Sequence, residues 1–232
     1  ENVLNPAYDS QEKIYDTIFT ILDDAMANLS STSNVLDVSG DVIYGGNVTK
    51  WKKAAASIKA RHALQLSGKN GNAAYTQALA AVANGLTSNA DDMLVPWETA
   101  NKNPIFQFME QRGDIRMGAT LVNMLAENGD PRLPFYVAKD GDGNYTGSEA
   151  GSENTSASAP GSYNAAATAP SILMSYSELK FIEAEAKFML GQAGALAAYE
   201  AAVAASVLRV TGNANTAWLA ANINGVTLTL EV

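Results

Sequence analysis

The chain has 232 residues, 47% hydrophobic and 17% charged, with 24 Asp+Glu against 15 Lys+Arg and a formal net charge of -9. That length and apolar content suit a single domain over 1–232 with a core of its own and exclude global disorder, while the acidic balance removes the counterion-release drive toward nucleic acid. With no cysteine and His62 as the only histidine, disulfides, thiolate chemistry, Cys-built metal centres and multi-histidine sites fall away, and a Ser–His–Asp triad has one imidazole to draw on.

The dominant texture is helical: Ala-rich windows with apolar spacings of three and four, punctuated by Gly, Pro and Asn. Asp9-Ser-Gln-Glu12 reads as a capping box for a first helix whose stripe is Ile14, Ile18, Ile21, Leu22, Ala25 and Leu29. A polar linker over 30–47 holds the short apolar patch Val42-Ile43-Tyr44. Thr49 is placed to cap a second helix ending at Gly68, with Trp51, Ala55, Ile58, His62 and Leu66 along one face and the cations of 50–61 spread around it as a solvated face. His62 on that face reads as a satisfied core imidazole. A third helix is expected over about 73–84, closed by Gly85 as a C′ residue. A loop over 87–102 carries Trp97, and Asn103-Pro104 opens a fourth helix in the way proline prefers.

A fifth helix is expected over roughly 115–127. The two prolines of Asp130-Pro-Arg-Leu-Pro-Phe-Tyr136 predict extended chain, with Arg132 fastening it to a helix. Residues 139–170 turn to Gly, Ser, Ala, Asn and Thr without periodicity, which predicts a long flexible loop of the kind that is often functional. Ser175-Tyr-Ser-Glu178 is a second capping box, opening a helix to Leu190 that ends at Gly191; helices over 193–210 and from near Thr216 follow. In the last full pair the small residues Ala184, Ala186, Gly191, Ala198 and Ala202 have the spacing of a tetratricopeptide hairpin, or of any Ala-rich pair that packs closely. No run of about 18 apolar residues predicts a membrane span. The chain opens at Glu1 without a basic-plus-apolar leader, so it is expected to be trimmed at both ends.

Several segments, taken in order, carry a resemblance. They are Gly45-Gly-Asn-Val-Thr-Lys-Trp-Lys-Lys-Ala54, Ile58-Lys-Ala-Arg61, Ala63-Leu-Gln-Leu-Ser67, Asn89-Ala-Asp-Asp-Met-Leu94, Arg112-Gly-Asp-Ile-Arg-Met117, Asp130-Pro-Arg-Leu-Pro-Phe-Tyr136 and Ser175-Tyr-Ser-Glu-Leu-Lys-Phe-Ile-Glu-Ala-Glu-Ala186. The set resembles the SusD/RagB-like family, in particular its second SusD-like subgroup. The resemblance implies an all-α fold of tetratricopeptide-like helix pairs with long irregular loops. It also implies a lipoprotein of the Bacteroidetes outer membrane, anchored at the cell surface through a lipid outside this chain. Such a protein captures glycans, or in some branches peptides, for a SusC-like TonB-dependent transporter, without catalysis and without a cofactor.

Sugar capture needs aromatic planes for pyranose C–H faces and amides for hydroxyls, so aromatics on loops are the residues to inspect. Trp97 with Asn101 in the 96–103 loop is one candidate, the alternative being an anchor tucked under the fourth helix. Asn144, Tyr145 and Tyr163 in the long loop form another, the alternative being a merely solvated segment. Trp51 and Trp218 sit at helical positions that predict core packing. Asp140, Asp142 and Asn144 have the alternating spacing that opens a calcium loop, but Tyr145 stands at the sixth position and Gly151 at the twelfth, so an Asp-Gly turn competes. A glycosidase needs two carboxyl groups about 5–9.5 Å apart; Glu183 and Glu185 diverge on a helix, and Glu178 and Glu185 are about 10.5 Å apart along one. A pure protein-interaction scaffold remains the other alternative.

Overall fold

The computed structural model describes residues 7–31, 33, 38 and 40–229. In chain order it has α1 (Gln11–Asn28), α2 (Val48–Gln65), α3 (Ser67–Asn70), α4 (Asn72–Val82), a 3-10 turn (Asn89–Asp91), β1 (Met93–Val95), α5 (Pro104–Gln111), α6 (Ala119–Glu127), α7 (Leu133–Tyr136), α8 (Ser162–Ala165), β2 (Ser171–Met174), α9 (Tyr176–Met189), α10 (Ala195–Thr211) and α11 (Thr216–Asn222). Part of the linker read over 30–47, and the last three residues, lie outside the described residues.

Two antiparallel hairpins, α2/α4 and α9/α10, stack through α4 and α9. The reason is side-chain size. On α2 the buried ridge is Ala56, Ala60 and Ala63 rather than the larger face with Trp51 and His62, and it meets Ala74, Ala78 and Ala81 of α4. Side chains that stop at Cβ let the axes approach until Tyr75, Leu86, Met174, Leu179 and Ile182 can close one core between the hairpins. Gly85 contributes differently from the C′ role expected of it. Its backbone is not left-handed; a Cβ there would lie 2.5 Å from Leu179 Cδ2 and 2.7 Å from Ser57 Oγ.

Several expected boundaries move, each for a local reason. Ser10, not Asp9, caps α1 by accepting from Lys13 N (3.3 Å), while Asp9 pairs with Lys13 Nζ (2.6 Å). Two of the six α1 stripe residues face outward, with Ile14 49% and Ile21 60% exposed; Tyr15, Ile18, Phe19 and Leu22 lie on its half-buried side. Asn47 caps α2 through Lys50 N (3.1 Å), two positions before Thr49, and Gly68 lies within α3. α6 begins at Ala119 because Gly118 is bridged to Ser148 instead. The Asp130–Tyr136 segment is not extended: Pro134 falls in the first turn of α7, where a missing N–H costs nothing.

The all-α expectation holds apart from one small antiparallel ribbon, β1–β2, which joins the first half of the chain to the second. His62 is half-buried rather than core, with Nδ1 2.9 Å from Gln65 Oε1 and Tyr15 edge-on at 5.9 Å. The α2 cations are mostly engaged rather than solvated: Lys50 donates to Ala90 O (2.5 Å), Lys53 to Asp91 (2.8 Å), Lys59 to Asp23 (2.5 Å) and Arg61 to Glu178 (2.5 Å).

Backbone bonds stitch residues 139–170 to the helices. Ala138 N donates to Ala159 O (2.9 Å), Met117 N to Ser158 O (2.8 Å), Ser148 N to Met117 O (2.8 Å) and Gly161 N to Tyr136 O (2.7 Å). Inside the segment Thr146 N donates to the buried Ser158 Oγ (3.0 Å). Gly147 approaches α6 so closely that a Cβ would stand 2.2 Å from Ala119 Cα.

Candidate functional site

An aromatic cleft lies where α6, the Asn128–Tyr136 segment, α9, α10 and α11 converge, with a volume of about 670 Å³. That is within the range of small-ligand sites. Tyr136, Phe181, Tyr199 and Trp218 supply its rings, Met117, Met124 and Leu125 part of its apolar wall, and Asn128, Asn164 and Asn222 its amides.

Each ring is held by a second contact. Trp218 rides on α11 against the Val203–Val207–Leu219 cluster and donates its indole N–H to Asn128 O (2.9 Å). Tyr199 and Phe181 meet at 6.0 Å and 67°, an edge contact between α10 and α9. Tyr136 is met edge-on by Tyr163 at 5.3 Å. Asn128 and Asn222 spend Nδ2 on the helical carbonyls of Met124 (2.8 Å) and Trp218 (2.9 Å), which keeps Oδ1 of each as an acceptor.

The one carboxylate among the lining residues is Asp130, and it is occupied. Arg132 grips it with Nε–Oδ1 2.9 Å and Nη2–Oδ2 2.5 Å and reaches Ser206 Oγ on α10 with Nη1 (2.9 Å). The Asp130 carboxylate holds the half-buried guanidinium firmly charged, against the opposing effect of burial. Arg132 thus fastens its segment to a helix, as the sequence suggests, although the segment is a helical turn. A cleft with a single, already paired carboxylate lacks the facing acid pair that glycoside hydrolysis needs.

The residues singled out from the sequence lie elsewhere or behind the cleft. Trp97 is half-buried and donates Nε1–H to Ser171 Oγ (2.9 Å), pinning its loop to β2. Asn101 is exposed and closes a backbone pair with Glu98 (3.0 Å each way). Tyr145 is half-buried against the Val122–Leu125–Val137 cluster under a Lys139 ammonium 5.8 Å from its ring. Tyr163 buttresses Tyr136, and its neighbour Asn164 lines the cleft.

Asp140 folds its carboxylate back on its own turn, accepting from Asn144 N (2.8 Å), Asp142 N (3.0 Å) and Thr146 Oγ1 (2.8 Å). The Asn144 amide, above all, lowers its pKa. Among the described residues no three His, Cys, Asp or Glu side chains gather as a metal site.

Trp218 packs against a core cluster, as its helical position predicts, but it is half-buried and its remaining face lines the cleft, which the sequence reading did not anticipate. Its signal was the polar company of Asn213, Asn215 and Asn222 around a short helix.

A family described as starch-binding and associating with the outer membrane matches the chain over residues 1–227. No curated protein matches. Among solved structures, a protein described as chitin-binding shares 30% identity and a TM-score of 0.82 over 97% of this chain and 55% of its own. A SusD/RagB family protein from Bacteroides thetaiotaomicron shares 30% identity and a TM-score of 0.75 over 89% of this chain and 48% of its own. A chitin-binding SusD homologue from Flavobacterium johnsoniae shares 27% identity and a TM-score of 0.78 over 91% and 47%. The chain therefore spans about half the length of the structures it matches. Stacked helical hairpins, the ordered motifs and a family match along nearly the whole length agree: the chain belongs to the SusD-like family.

Proposed function

We propose that the protein captures a neutral oligosaccharide at the cell surface, without catalysis, and that the Trp218 cleft is where it sits. The observation that carries this reading is the convergence of four rings and three amides around a carboxylate that is already paired. Rings offer faces to pyranose C–H surfaces, amide oxygens accept hydroxyls, and an engaged Arg132 leaves no spare cation in the lining to favour an acidic sugar. Similarity to proteins described as chitin-binding makes β-linked N-acetylglucosamine oligomers the first ligand to try. In keeping with the family, the glycan passes to a SusC-like TonB-dependent transporter, and a lipid outside this chain holds the protein at the outer membrane. No helix among the described residues is long and apolar enough to cross a membrane.

Isothermal titration with chitin and malto-oligosaccharides, and with a peptide of similar length, tests the reading. One of the glycans is expected to bind, and Trp218→Ala to weaken it about tenfold or more, the usual cost of losing a central aromatic contact. Binding of the peptide alone, or glycan affinity unchanged in the variant, would overturn it.

A further inference from the structure

A second cleft, of about 440 Å³, opens between β1, α8, β2 and α10 and shares no lining residue with the Trp218 cleft. Its walls are mostly apolar, with Leu94, Ala166, Pro170 and Ile172 among them, and Arg209 is the one cation in the lining. Arg209 is poorly satisfied where it stands. Its side chain is 17% exposed, its contact with Asp92 is long (Nη1–Oδ2 3.4 Å), and its Nε is buried without a hydrogen-bond partner. Asp92 is oriented by its other oxygen, Oδ1, which accepts from Tyr176 N at 2.6 Å, and Oδ2 is left at the long distance from Arg209. The Tyr163 hydroxyl lies against the guanidinium but offers one weak acceptor; burial raises that phenol's pKa and the Arg209 charge works the other way.

A guanidinium presents five donors in a planar fork that matches a carboxylate. Here the fork borders an apolar hollow of small-ligand size, and its internal carboxylate holds it loosely. We propose that this cleft is a binding site for a carboxylate carried on a compact apolar body, the carboxylate meeting Arg209 and the body lying against Leu94, Ala166 and Ile172. The chemistry is shared by a branched aliphatic acid and by the C-terminal residue of a peptide ending in an apolar amino acid. The site is independent of glycan capture and stands or falls separately from it.

The test uses the full chain and three probes matched in shape: 4-methylpentanoate, N-acetyl-L-leucine and the uncharged N-acetyl-L-leucinamide. Ligand-observed NMR titration should show saturable binding of one or both acids, with the amide about tenfold weaker or more, the cost of exchanging a charge-assisted contact for a neutral one. Preference for N-acetyl-L-leucine assigns the site to a peptide end, and equal or better binding of 4-methylpentanoate assigns it to a free acid. Arg209→Gln should abolish binding. Ala166→Leu, which fills the hollow while leaving Arg209 and Asp92 in place, should do the same and keeps the test valid if Arg209→Gln fails to fold. The proposal is overturned if neither acid saturates at millimolar concentration, if the amide binds equally well, or if Ala166→Leu binds as the parent does.

Discussion

Arg61 on α2 and Glu178 on α9, 117 positions apart, meet as a two-pronged ion pair, with Nε–Oε1 at 2.5 Å and Nη2–Oε2 at 2.6 Å. The same guanidinium donates to Leu173 O at 2.8 Å, so one side chain ties α2 to both β2 and α9. Glu178 is the last residue of the Ser175 capping box, yet its carboxylate turns outward to Arg61 while Ser175 Oγ accepts from Glu178 N at 3.1 Å. Arg61→Ala should cost about 2 kcal/mol and lower the melting temperature by roughly 4–8 °C. Glu178→Gln should cost less, about 1 kcal/mol, because both side chains are partly exposed and screened. Arg61→Lys should fail to restore the parent stability, since an ammonium cannot reproduce the fork. Equal melting temperatures for Arg61→Lys and the parent would contradict this.

The approach of α9 to the α2/α4 hairpin depends on a missing methyl group. Gly85→Ala would place its Cβ against Leu179 and against Ser57 Oγ, the hydroxyl that also accepts from the Leu86 amide (3.0 Å). Overpacking of this kind typically costs about 1–3 kcal/mol, and urea titration should move the midpoint without changing the slope. Gly191→Ala, at a left-handed turn with open space around it, should cost about 1 kcal/mol through backbone strain alone. Reversal of that order would mean that α9 yields more readily than its burial implies.

Acid should loosen the fold from the segment before α2. Burial alone would raise the Asp41 carboxyl, but the Gly46 amide (2.9 Å), the Trp51 indole (2.7 Å) and the amides of Ile43 and Tyr44 outweigh it and bring its pKa to about 2. Asp91 likewise falls to about 2, burial being outweighed by Lys53 and Thr87. Both lie below the unfolded value of about 3.9, so their stabilisation is complete above that value and lost as pH falls from about 4 toward 2. Asp92 has the opposite sign: burial raises it, so its protonation relieves a cost and offsets part of the loss. Urea midpoints measured from pH 7 to pH 2 should therefore fall less steeply in Asp41→Asn than in the parent. Parallel curves would show that Asp41 is not a source.

Trp97 distinguishes a loop anchor from a sugar platform. Trp97→Phe keeps a ring but loses the bond to Ser171, so it should lower the melting temperature by about 2–4 °C, the effect of one hydrogen bond worth about 1 kcal/mol. Glycan affinity should stay within about twofold of the parent if the Trp218 cleft is the seat. A loss of about tenfold in affinity would move the seat to the Trp97 loop.

What the sequence made legible was local. α4, α9, α10 and α11 start and stop close to where Asn, Ser and Gly place them, because those residues act through bonds one turn away. The β1–β2 ribbon was not legible, since Met93–Val95 and Ser171–Met174 are short runs that become strands only on finding each other. The engaged lysines of α2 were hidden for the same reason, their partners lying on Asp23, Ala90 and Asp91. The aromatic cleft draws its lining from segments scattered between Met117 and Ile223, so no spacing announces it. Trp218 read only as core because periodicity registers the helix face that packs but not the ring edge left open to a cleft.

The core between the hairpins bears on how the chain is born. Ala60, Ala63, Ala78 and Ala81 emerge from the ribosome long before Leu179, Ile182 and Ala186, the residues that close over them. Until α9 arrives, the paired alanines of the first hairpin lack Leu179 and Ile182 to complete their core, and Arg61 lacks Glu178. The last hairpin therefore locks the first, and the core between them stays open until α9 has been made.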